Sequence, residues 1–192
     1  MLRLDNLLLV LLLSFLLLTG CSTTGKLHDT ETSPRYLKAK SLMESGQFER
    51  AIPVLQTIVD DNPEMTNAAV NLAIAYRESG QITDALDLIN SVIAMHPNHI
   101  AAYNQLGIIQ RHLGHFDKAL SAYQRAIELN ANYALARRNL GILYDIYLQQ
   151  YTNALGQYEK YQTLTDASDK EVDKWIIDLK RRIDIAQSRD GQ

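Results

Sequence analysis

The chain has 192 residues, 46% of them hydrophobic and 21% charged, with only four prolines, which is the make-up of one globular domain of ordinary size. Its formal net charge of −3 argues against a general nucleic-acid binder, which needs a basic excess to neutralise phosphates. A single cysteine, Cys21, excludes any intramolecular disulfide.

Residues Leu7 to Leu18 are apolar except for Ser14, behind a short segment that contains Arg3. Twelve helical residues reach only ~18 Å, too short for a bilayer core of ~30 Å, so the segment reads as a secretory signal over residues 1–20. It ends in Leu18-Thr19-Gly20-Cys21, which resembles the lipobox of bacterial lipoproteins. That resemblance implies cleavage before Cys21, diacylglycerylation of its thiol and acylation of the new amine. Several acyl chains give stable anchoring, at ~0.8 kcal/mol per buried CH₂. By the same resemblance, Ser22 in place of an aspartate favours the outer membrane, facing the periplasm. Residues 21–33, rich in Ser, Thr, Gly and acids, are expected to be the lipidated Cys and a flexible tether.

From there the sequence repeats with a period of 34. Gly46, Gly80 and Gly114 are in phase, as are Ala51, Ala85 and Ala119; so are Ala39, Ala73, Gly107 and Gly141, and so are Pro63 and Pro97. Small residues permit close helix crossings, the turn glycines suit a left-handed helix end, and the prolines stop second helices. Apolar residues between them keep helical spacing. The pattern resembles the tetratricopeptide repeat (TPR), a helix-turn-helix unit of 34 residues. The resemblance implies an all-α fold, a right-handed superhelical stack of four units at about 32–65, 66–99, 100–133 and 134–168.

Three departures stand out. Repeat one has Arg35 and Lys38 where large apolar residues are usual, as expected of a terminal unit. Pro53 lies within its second helix and should bend it slightly. Repeat four carries one extra residue, since Gly141 to Ala154 is 13 positions and Gly107 to Ala119 is 12, and Gln149-Gln150 replace its turn glycine. Residues 169–192 are expected to form a C-terminal capping helix and tail. Ser168 and Glu171 fit a capping box, and Val172, Trp175, Ile176, Leu179 and Ile183 share one face.

Catalytic chemistry is not expected. There is no phosphate loop, nucleophile elbow or zinc-helix motif, and acid pairs such as Asp60-Asp61 lie at solvated helix ends. His96 with His99, and His112 with His115, are expected to be surface turn residues, since they occupy turns at opposite ends of the helices and cannot converge on a metal. Tyr76, Tyr123, Tyr144 and Tyr158 occupy positions that pack between helices in TPR units. No cofactor and no small-molecule substrate are implied.

The TPR resemblance further implies that first helices line a concave groove. Their ninth positions are Lys40, Ile74, Ile108 and Ile142, so three isoleucines form an apolar row. Asn71, Arg77, Asn104, Arg111, Arg138 and Asn139 surround it, giving a basic, amide-rich rim. The Lys, Asn and Arg set with which some relatives clamp a peptide carboxylate is not reproduced. The expected function is a membrane-anchored scaffold that holds a peptide or helix of an envelope protein. TPR lipoproteins that assemble pilus secretins or serve envelope hydrolases resemble it in architecture. The alternatives are a structural or dimerising lipoprotein whose C-terminal helix fills the groove, with Trp175 against Ile108, and a permanent accessory subunit of an envelope enzyme or transport complex.

Overall fold

The structure is a computed structural model and describes residues 29–190. The signal segment, Cys21 and residues 22–28 lie outside the described residues. Among those described, the chain forms nine α-helices and one π-turn. They are α1 (Pro34–Glu44), α2 (Phe48–Asp61), α3 (Thr66–Glu78), α4 (Ile82–Met95), α5 (Ile100–His112), α6 (Phe116–Leu129), α7 (Ala134–Ile142) continued by the π-turn Leu143–Tyr147, α8 (Tyr151–Leu164) and α9 (Lys170–Asp190). None is long and apolar enough to cross a membrane.

Helices pack in chain order, and the first helices also touch across repeats: α3 meets α5, and α5 meets α7. Closer approach among first helices than among second helices bends the stack so that the first helices form its inner row. The turn glycines do what the sequence requires of them. Gly46, Gly80 and Gly114 take φ values of +69°, +80° and +76°, and the residue after each donates its N–H to the carbonyl five residues earlier, as Gln81 does to Tyr76. This closure satisfies carbonyls that the helix end leaves free.

The crossings show a size exchange. Where the second helix carries Leu55 or Ile89, the first carries Ala39 or Ala73. Where it carries Tyr123 or Tyr158, the first carries Gly107 or Gly141. A Cβ on Gly107 would lie 2.8 Å from Tyr123 Cζ and closer still to the ring edge, and one on Gly141 would overlap Tyr158 similarly. Both tyrosines are fully buried. Burial pushes the Tyr123 hydroxyl up to about 12, with Arg111 opposing, and raises that of Tyr158 also.

The extra residue of repeat four is absorbed as the π-turn, which widens the helix end by one residue, the usual way a helix accommodates an insertion. Gln149 then falls at the site of the missing turn glycine, with φ +53°.

Three expectations need correction. Residues 29–33 are docked rather than a free tether. Asp29 is buried and pairs with Arg35, its carbonyl accepts from Asn62 Nδ2 at 3.0 Å, and Ser33 Oγ accepts from the Tyr36 N–H to start α1. The capping box also shifts by one residue. Asp169 Oδ1, not Ser168, accepts from the N–H groups of Glu171 and Val172, because α9 starts at Lys170. His99 is no idle surface residue. Its Nδ1 accepts the Ala102 N–H at 3.2 Å, capping α5, and its Nε2 meets Thr66 Oγ1 at the start of α3 at 3.1 Å.

Candidate functional site

The inner row of first helices brings the ninth-position isoleucines into line, each by a different packing. Ile74 is half-buried against the cluster of Ala73, Ile89 and Ile109. Ile108 is half-buried beside Tyr123, Leu140 and Leu143. Ile142 lies with Tyr158 and Trp175.

The rim separates into groups with different duties. Asn71 Nδ2 donates to Tyr36 Oη at 2.9 Å, and Asn139 Nδ2 donates to Asn104 Oδ1 at 2.9 Å. Each rung ties the sixth position of one repeat to the fifth of the one before. Between repeats two and three the pair is Gln105 and Val70; valine cannot bond, and Gln105 Oε1 is buried with no partner among the described residues. Asn104 is 2% exposed, so it belongs to the repeat interface and not to an open rim.

The arginines differ as well. Arg77 is half-buried and pairs with Glu78 at 2.8 Å. Arg138 stacks over Trp175 at 5.0 Å and faces Asp169 and Glu171 at 3.6 and 3.7 Å, so it is engaged by α9. Arg111 lies over the Tyr147 ring at 5.6 Å and has no carboxylate partner among the described residues.

The position of α9 decides whether the groove is open. Val172 and Leu179 are fully buried, and both pack with Ala154, Tyr158 and Tyr161 of α8. Tyr161 Oη donates to Asp169, Gln162 Nε2 donates to the Asp169 carbonyl, and Lys180 pairs with Glu159. Counting on from repeat four with its extra residue, Val172, Trp175 and Leu179 fall at the fourth, seventh and eleventh positions of a fifth first helix. Thus α9 is a half-repeat that extends the inner row. Trp175 packs against Ile142 and Tyr158, at 5.4 Å between the two rings, and not against Ile108. The clusters around Ile74 and Ile108 contain no α9 residue.

Residues 42–107 and, separately, residues 100–133 match sequence families described as tetratricopeptide repeat. These units are tetratricopeptide repeats. Among solved structures, the chain is similar to a thermophilic TPR protein of Thermus thermophilus, at 20% identity and a TM-score of 0.68, covering 78% of this chain and 81% of that one. It is also similar to MamA of Desulfovibrio magneticus RS-1, at 22% identity and TM-score 0.58, covering 71% and 77%. A third is the first TPR of Spaghetti (RPAP3) bound to the HSP90 peptide SRMEEVD, at 18% and TM-score 0.58, covering 62% and 94%. No curated protein sequence matches the chain.

The TPR phase also exposes residues that sequence reasoning passed over. Ile177 stands at the ninth position of the half-repeat, 35 residues after Ile142, and is 69% exposed. Ile146 is 64% exposed at the thirteenth position of repeat four, where the preceding repeats carry Glu78 and His112. Both were within reach of the periodicity, Ile146 at the plain 34-residue interval from His112 and Ile177 once the inserted residue is counted. Ile142, Ile146, Tyr158, Trp175 and Arg182 line an open cavity of about 520 Å³.

Proposed function

We propose that the chain is a lipid-anchored adaptor of the bacterial cell envelope that holds a peptide or helix of a partner protein on its inner face. Tetratricopeptide repeats are interaction scaffolds, and a TPR unit of similar fold is bound to the peptide SRMEEVD. The observation that carries the reading is the ninth-position row. Ile74 and Ile108 are not covered by α9, and Ile177 continues the row in the open. Contiguous apolar surface of this kind marks an interaction site. Arg77 and Arg111 on the same helices favour an acidic segment by charge complementarity.

Anchoring is the second half of the proposal. The lipobox-like Leu18-Thr19-Gly20-Cys21 supports lipidation of Cys21, and Ser22 supports an outer-membrane site facing the periplasm. From Cys21 to the docked Asp29 there are eight chain steps, which span at most ~29 Å. An anchor on Cys21 therefore holds Asp29, just ahead of repeat one, within that distance of the bilayer.

The test is capture of partners by the full lipidated chain from its own cells. Ile177→Asp alters a side chain that supports no packing, so its melting temperature should match that of wild type while partner recovery drops at least tenfold. Full recovery by both Ile177→Asp and Ile74→Asp contradicts the groove reading.

A further inference from the structure

The cavity at the end of the inner row differs from the repeating pattern in three linked ways. The π-turn occurs only in repeat four among the described residues, and it carries Asp145 and Ile146 where repeats two and three carry Arg77-Glu78 and Arg111-His112. On the opposite wall, α9 supplies Trp175 and Arg182. Arg182 pairs with Asp145 at 3.0 Å and stacks over Tyr151 at 4.7 Å, which fastens the cavity floor to α8 and the π-turn. The result is a preformed recess with an aromatic base and one exposed isoleucine at its lip.

Arg182 and Asp145 line the cavity as an ion pair, Arg138 stacks over the Trp175 ring in its wall, and Arg111 lies over Tyr147 of the π-turn. Of these cations, Arg138 and Arg182 already face carboxylates. Arg111 does not, and its seat on Tyr147 holds it against the π-turn whose Ile146 lines the cavity. A guanidinium held on an aromatic face keeps its N–H donors available to a planar carboxylate. A volume of about 520 Å³ falls within the range of small-ligand pockets and takes one or two large side chains.

We propose that this cavity is the anchor site for a large apolar side chain, Phe or Leu, of an acidic partner segment, with a neighbouring carboxylate of that segment engaging Arg111. The proposal rests on the groove reading and adds where the groove grips and what it selects. Buried aromatic or aliphatic anchors in central pockets commonly carry most of an interface's affinity, with flanking charges setting partner choice.

Trp175 is the only tryptophan in the chain, so its fluorescence reports this cavity directly. The experiment titrates the full chain, purified in detergent, with the capped hexapeptide Asp-Glu-Phe-Leu-Glu-Asp. Two controls replace Phe-Leu by Ala-Ala or all acids by Lys. The acidic Phe-Leu peptide should give a saturable change in Trp175 emission, and both controls should bind at least tenfold more weakly. Ile146→Asp should weaken the acidic peptide at least tenfold at an unchanged melting temperature. Arg111→Gln should weaken it three- to tenfold and shrink the preference over the lysine peptide. No saturable change, or equal responses to the three peptides, overturns the proposal. So does an emission change on simple dilution that Ile146→Asp abolishes, since a second copy is then the occupant, or saturation by decanoate that the peptide cannot displace. Partner capture separates the two readings. Loss with Ile74→Asp but not with Ile146→Asp removes the anchor site and leaves the groove; retention in both removes both.

Discussion

Substituting Gly107 by alanine sets two known effects against each other at one atom. In an open helix interior the change stabilises by about 1 kcal/mol, because alanine loses less backbone freedom on folding. Here the new Cβ would meet the Tyr123 ring, 2.8 Å from Cζ and nearer at the edge, and Tyr123 has no exposed surface into which to swing. Overpacking of this kind costs roughly 1–3 kcal/mol, so Gly107→Ala should be destabilising by up to about 2 kcal/mol net. Tyr123→Ile alone leaves a void and should cost roughly 2–4 kcal/mol. The pair together recreates Ala73 and Ile89 of repeat two. In the Tyr123→Ile background the clash is gone, and Gly107→Ala should now stabilise by about 1 kcal/mol. The reasoning therefore predicts a change of sign and a coupling of about 2 kcal/mol, within the range seen for contacting residues. Urea unfolding followed by circular dichroism on the four proteins gives the cycle. The same effect of Gly107→Ala in both backgrounds refutes the size exchange across the crossing.

His99→Ala should cost about 1 kcal/mol at pH 8, because it removes the α5 cap and the bond to Thr66. Burial lowers the His99 pKa below its ordinary 6.5, and its Nδ1 accepts only when neutral, so the contribution is complete above pH 6.5 and is lost as pH falls from there through the folded-state value. The wild-type advantage in thermal melts should shrink over that window; an advantage that grew on acidification would contradict the cap. Gln149→Gly should raise stability by about 0.5–1 kcal/mol in urea unfolding, since a left-handed residue with a Cβ is strained. Cys21→Ala should release the protein from the membrane fraction with its melting temperature unchanged, and persistent fatty-acid labelling would refute lipidation there.

The repeat phase was legible because each marker answers to a local constraint. Gly80 must tolerate positive φ, and Gly107 must clear a ring, so the residue type itself records the geometry. Other features depend on which of two competent neighbours acts. Ser168 and Asp169 can both cap a helix, and the choice follows from where α9 meets Tyr161 and Gln162. The inserted residue of repeat four was visible as a count, but its form as a π-turn goes with tertiary contacts, Leu143 packing with Ala119 and Tyr123 of α6 and Asp145 pairing with Arg182 of α9. Rim residues read less clearly than the row. Asn104 has the same polarity whether it faces solvent or accepts from Asn139, and Arg138 gives no sign in sequence that Trp175 and Asp169 will engage it. Docking of Asp29 was hidden for a similar reason, since Asn62, which holds its carbonyl, lies 33 residues away in sequence.

The central claim is that partners meet the inner face. Site-specific photo-cross-linking tests it most directly, with a photoreactive phenylalanine analogue placed at Ile108 or Ile177 on the inner row and at Gln56 or Gln124 on exposed faces of the second helices. In cells that make the full lipidated chain, positions 108 and 177 should yield the same discrete adduct and positions 56 and 124 none. Adducts from positions 56 and 124, with none from 108 and 177, would contradict the account.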